Sequence, residues 1–253
     1  MRWGVALVLI SLGVFLLPHA ASAAATDYCA SGNTTTLLLV DRTTTFDATD
    51  KSIFLDAMNS VIEHLGAGDR LVMFTMTGSY TESRKVFDQC KPACPETGFF
   101  AQLVSTCRPV LARSDYRVFV DELARDLADL LQKPEDTPLS DLFRTVAETT
   151  RAVSSESNQK LGALIVFSDL IENSQVVPQR EFLRDAPANT LRRLAAAQIT
   201  PTLPGASVRV FGVGRDDTPT RAPLPPSVRN RVAQAWEDWF RAGGATSVEI
   251  GFR

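Results

Sequence analysis

The sequence predicts an α/β fold built on a mostly parallel sheet with helices on both faces, and three observations predict it. Short apolar runs alternate along the chain with longer stretches of helical periodicity, in βαβα order. The apolar runs are continuous rather than alternating, as strands buried on both faces are. No internal repeat, low-complexity tract or interdomain linker interrupts the order, and 253 residues at 45% hydrophobic content are enough for one sizeable core.

Taken in order, Thr36 to Val40 reads as a buried strand. Ile53, Phe54, Ala57, Met58, Val61, Ile62 and Leu65 recur at helical spacing, with Gly66 and Gly68 as stop signals. Leu71 to Thr75 is a second strand, and Lys85 to Phe87 a short third after a polar turn. Residues 90–113 read as an irregular insertion, with prolines and three of the four cysteines. Tyr116, Phe119, Val120, Leu123, Leu127, Leu130 and Leu131 line one face of a helix. After a break at residues 133–136, Thr137 as N-cap and Pro138 at the first helical position predict a helix whose buried face is Leu139, Leu142, Phe143, Val146 and Ala147. Ala163 to Phe167 is another buried strand, followed by a long loop and a helix near Thr190 to Gln198. Val208 to Val213 is a further strand. Val228, Val232, Trp236, Trp239 and Phe240 share a face of a last long helix, which makes both tryptophans core residues, and Ser247 to Phe252 closes the sheet.

The first residues are expected to lie outside the fold. Arg2, the apolar Val5 to Leu17, and Pro18 before Ala21-Ser22-Ala23 have the form of a signal peptide, cut after Ala23 or, failing that, after Ala25. Residues 24–253 then form a single domain, and loss of Arg2 takes the net charge from −3 to −4. That balance gives no basic footprint for nucleic acid. No later segment is apolar for long enough to span a membrane. The expected address is periplasmic or secreted. Cys29, Cys90, Cys94 and Cys107 suit it: an even count in an oxidising compartment implies two disulfides, with three possible pairings.

Candidate functional groups collect where strands end. In a parallel sheet, ligands bind beyond the carboxyl ends of the strands. Two strands end on an aspartate, Asp41 and Asp169. Thr43 and Thr45 follow Asp41 at alternating positions, and Thr137 opens a helix. Two carboxylates and three hydroxyls are hard oxygen donors, a set that suits Mg²⁺ or Mn²⁺ better than zinc.

Asp41-Arg42-Thr43-Thr44-Thr45 resembles the Asp-x-Ser/Thr-x-Ser/Thr motif of von Willebrand factor type A (vWA) domains. Thr137 falls where that family has a second-loop threonine, and Asp169 where it has a third-loop aspartate. The resemblance covers roughly residues 34 to 252. It implies a Rossmann-like, three-layer fold with a short antiparallel edge strand, matched by Lys85 to Phe87. It implies a metal-ion-dependent adhesion site formed by Asp41, Thr43, Thr45, Thr137 and Asp169. It also implies a partner protein whose carboxylate completes the ion's coordination. With an antiparallel third strand, Cys29 and Cys90 fall at the end of the sheet away from that site. The expected pairing is therefore Cys29 with Cys90 and Cys94 with Cys107. The chain departs from the family pattern at Arg42, and at Leu170, where glycine is common.

Three functions compete. The first is a non-enzymatic, extracytoplasmic module that docks a protein through Mg²⁺. The second is a metal-free scaffold that keeps the fold, which the departures at Arg42 and Leu170 allow; there Arg42 could pair with an aspartate in place of the cation. The third is a Mg²⁺-dependent phosphatase-type hydrolase. That chemistry would want a second aspartate where the chain has Thr43, and there is no Gly-x-Ser-x-Gly or phosphate-binding loop.

Overall fold

The computed structural model describes residues 27–43, 46–95, 107–132, 137–215 and 222–251. The expected signal peptide, Thr45 and the centre of the 90–113 insertion lie outside them. Six strands form one sheet in the order β3-β2-β1-β4-β5-β6: β1 (Thr34–Asp41), β2 (Arg70–Met76), β3 (Lys85–Cys90), β4 (Lys160–Phe167), β5 (Ser207–Phe211) and β6 (Ser247–Ile250). All neighbours pair in parallel except β2 and β3, so β3 is the antiparallel edge. The fold is the expected Rossmann-like α/β class. Among the described residues the α-helices are α1 (Ala48–His64), α2 (Pro109–Leu130), α3 (Leu142–Glu156), α4 (Gln179–Phe182), α5 (Pro187–Ala196) and α6 (Pro226–Ala242).

The continuous apolar runs are explained by two cores, one on each sheet face. Leu37, Leu39, Leu164, Val166, Val208 and Val210 pack with residues of α3, α5 and α6, among them Phe143, Trp236, Trp239 and Phe240. Leu38, Val40, Ile165 and Phe167 pack with α1 and α2 through Phe54, Met58, Phe119 and Leu123. Successive side chains of a strand point to opposite faces, so a strand between two helix layers must be apolar at every position. Both tryptophans are core, as expected.

The two disulfides are Cys29–Cys90 and Cys94–Cys107. Cys90 pairs in register with Arg70, the first residue of β2, so the first bridge lies at the amino end of the parallel strands. Two helix starts differ most from the sequence reading, and Leu139, expected on a helix's buried face, lies outside α3 and is 46% exposed. Helix α2 starts at Pro109, inside the expected irregular insertion. Its first two turns bury only Ala112 and expose Val110 and Leu111, so no core-facing periodicity marks them. Helix α3 starts at Leu142 rather than at Thr137, for a reason that lies in the site.

Candidate functional site

Strands β1 and β4 are neighbours at the centre of the sheet, in register through Val40 and Phe167. The chain runs from β1 towards β2 on one side and from β4 towards β5 on the other. The crevice at their carboxyl ends is thus the topological switch point, where open α/β sheets bind ligands. Asp41 ends β1 there, and Ser168 and Asp169 follow β4.

Asp41 is 1% exposed and both its carboxylate oxygens are engaged. Oδ1 accepts the Thr43 backbone N–H at 2.8 Å and the Thr43 hydroxyl at 2.7 Å. Oδ2 accepts the buried Ser168 hydroxyl at 2.6 Å. Thr43 Oγ1 also lies 2.9 Å from Ser140 Oγ, in the loop before α3. Three loops therefore converge through oxygen atoms: the first through Asp41 and Thr43, the second through Ser140, the third through Ser168. Asp169 closes the third loop by accepting the Ile171 N–H at 2.9 Å. A pocket of about 60 Å³ opens beside them, lined among others by Thr43, Thr137, Ser140 and Asp169.

Thr137 shares this pocket, but its hydroxyl accepts the Leu139 N–H at 3.3 Å and does not cap a helix. It packs on Gly78, where an added Cβ would lie 2.6 Å from Thr137 Oγ1, so the approach of the second loop depends on that glycine. Ser140 takes the position nearest Asp41 and Thr43 because the loop is tied to the segment after Asp169. Ser140 and Asn173 exchange backbone hydrogen bonds at 3.0 and 2.9 Å. The orphan amides at the start of α3 are satisfied from outside the helix: Glu172 Oε2 accepts the N–H groups of Leu142 at 2.8 Å and Phe143 at 3.1 Å. This tertiary cap overrides the local Thr-Pro signal and delays the helix by one turn.

Glu172 is fully buried, and its Oε1 makes no close hydrogen bond among the described residues. Burial pushes its pKa up from 4.5 to about 8, and the nearby Asp141 carboxylate adds to the rise, against the lowering effect of Ser174 and of the two amides. Asp141 is itself raised, mainly by burial, with Arg144 opposing.

The second aspartate of the first loop, Asp47, has a structural role. It caps α1 by accepting the Asp50 N–H at 2.9 Å, and Asp50 reciprocates to the Asp47 N–H at 3.1 Å. The Asp50 amide holds the Asp47 pKa below its ordinary value, and Arg215 adds to this. Arg42 forms no ion pair among the described residues, and its buried Nε has no hydrogen-bond partner. Sequence reasoning missed Ser140, Ser168 and Glu172. One signal for Ser140 was available: Ser140-Asp141 stands directly before the apolar pattern Leu142, Phe143, Val146, Ala147.

The donor set fits a hard divalent cation. Carboxylate and hydroxyl oxygens from three loops meet within hydrogen-bond distance of one another, beside a pocket whose lining among the described residues holds no histidine, cysteine or lysine.

No protein-family model matches the chain, and no curated protein matches it. Solved structures that overlap it include an aerotolerance-related membrane protein from Bacteroides fragilis carrying multiple mutations to serine. That overlap has 10% identity and a TM-score of 0.42, over 87% of this chain and 92% of that one. The conserved hypothetical protein BatB from Bacteroides thetaiotaomicron overlaps at 11% identity and a TM-score of 0.43, over 87% and 90%. The SpRpn10 VWA domain overlaps at 6% identity and a TM-score of 0.42, over 87% and 88%. Nothing about binding or activity follows from these overlaps.

Proposed function

We propose that this chain is a non-enzymatic, extracytoplasmic binding module that docks a protein partner through a divalent cation, Mg²⁺ or Mn²⁺. The observation that carries this reading is the continuous run of oxygen contacts from Asp41 through Thr43 to Ser140 at the switch point of the sheet. Asp41, Thr43, Ser140 and Asp169 would hold the ion, with Thr137 at the pocket wall and Thr45 as a further first-loop hydroxyl. When bound, the ion supplies a positive charge for a carboxylate on the partner. The pocket beside these side chains, about 60 Å³, has room for an ion and water. Two disulfides support an oxidising compartment. Among the described residues, no helix is long and apolar enough to cross a membrane.

A metal-free scaffold is the second reading. The observation favouring it is that both Asp41 oxygens already accept hydrogen bonds from within the protein. Binding to envelope extract separates the two. The metal reading expects a partner retained in Mg²⁺, released by EDTA, and lost with Asp41→Ala or Ser140→Ala. Retention that ignores both EDTA and the substitutions would overturn it.

A further inference from the structure

Asp169 is aimed by a residue far away in the chain. Leu170, which follows it, has φ +64°, a left-handed conformation that a side chain with a Cβ disfavours. Such a conformation persists only where the surroundings hold it. Its carbonyl accepts a hydrogen bond from Trp236 Nε1 of α6 at 3.0 Å, and both residues are 0% exposed. That carbonyl belongs to the same planar peptide unit as the Ile171 N–H, which donates to Asp169 Oδ1 at 2.9 Å. In a trans peptide the C=O and N–H point in opposite directions. One rigid plane is therefore gripped by the indole on one side and grips the carboxylate on the other. The Leu170 N–H, in turn, donates to Ser168 Oγ at 2.9 Å, the hydroxyl that donates to Asp41. The Trp236 ring also stacks on Phe143 in the first turn of α3, with centroids 3.8 Å apart and planes 14° apart. The second and third loops thus share one buried anchor.

We propose that Trp236 is a positioning residue for the candidate metal site. Its indole N–H fixes the Leu170–Ile171 peptide and through it the Asp169 carboxylate. The inference rests on the metal reading above, and the experiment separates the two. Trp236→Phe keeps an aromatic ring against Phe143 and removes the N–H. Trp239→Phe is the control for loss of an indole N–H in the same aromatic cluster: its ring also packs on Phe143 and Trp236, but its N–H donates to the Ile199 carbonyl at 3.1 Å and not to the third loop. Two quantities are measured on wild type and both variants: exchange of the Ile171 amide in EDTA, and Mn²⁺ affinity by calorimetry. The expected result is Ile171 exchange roughly fivefold or more faster in Trp236→Phe than in Trp239→Phe. Mn²⁺ affinity falls about 10- to 100-fold in Trp236→Phe only, the usual loss when a group that orients a metal ligand is removed. Equal Ile171 exchange in the two variants, or equal loss of affinity where the wild type binds Mn²⁺, overturns the proposal. A wild type that binds no Mn²⁺, with Ile171 exchange accelerated in Trp236→Phe alone, overturns the metal reading and supports the aiming of Asp169.

Discussion

Glu172→Gln tests the tertiary cap that sets the second loop. In the folded protein Glu172 keeps its proton to about pH 8, because burial disfavours the carboxylate. In the unfolded chain it releases that proton near the ordinary value of 4.5. Between those limits the folded state holds one proton that the unfolded state does not, so stability falls as pH rises. The slope is at most about 1.4 kcal/mol per pH unit. Integrated from pH 5 to pH 8, the loss is on the order of 3 kcal/mol. Glutamine keeps an oxygen for the Leu142 and Phe143 amides and has no proton to lose. The wild type and Glu172→Gln are therefore expected to have similar stabilities at pH 5, and to diverge until the variant is the more stable at pH 8. Guanidinium denaturation in EDTA, with the disulfides intact, measures this as a difference between two proteins, which cancels the titration of other groups. Parallel stabilities across pH 5 to 8 would refute the assignment of a buried, protonated carboxyl to this cap.

Three further outcomes are expected. Ser140→Ala removes the hydroxyl that touches Thr43, so it should reduce the Mg²⁺-dependent rise in melting temperature more than Thr137→Val does. Thr43→Val and Thr45→Val should each gain less stability from Mg²⁺ than wild type, measured as melting temperature in Mg²⁺ against EDTA; equal gains would remove these hydroxyls from the ion. The Cys29–Cys90 bridge closes a span of 61 residues and Cys94–Cys107 one of 13. Replacing both cysteines of a pair by alanine should therefore cost about 4 kcal/mol for the first and about 3 kcal/mol for the second in denaturant titrations.

The layers of the fold were legible because the two central strands carry unbroken apolar runs, Leu37 to Val40 and Ala163 to Phe167, and the helices carry clear core stripes. The antiparallel edge and the favoured cysteine pairing were legible only through the family resemblance. Asp41 and Thr43 could be placed because they directly follow a strand. The second loop was misread because its decisive contacts are not local. Thr137-Pro138 is a strong helix start in isolation, but Glu172, thirty residues beyond Leu142, accepts the amides that define the true start. The bridge between Ser140 and Asn173 then places Ser140 at the pocket. The Leu170 departure has a physical account that only the structure supplies. The position does require a left-handed backbone, and a buried leucine meets it under the hold of Trp236. Ser168 was passed over because a serine beside a strand-ending aspartate carries no periodic signal of its own.

Oxygen atoms of three loops are proposed to form a divalent-cation site. Calorimetric titration of the purified protein lacking residues 1–23 with Mn²⁺ tests it most directly, with Asp41→Ala and Ser140→Ala beside it and circular dichroism to establish that all three are folded. Saturable binding by the wild type, loss of binding in Asp41→Ala and clear weakening in Ser140→Ala are expected. A folded wild type that takes up no Mn²⁺ at millimolar concentration would contradict the proposal and leave the metal-free scaffold.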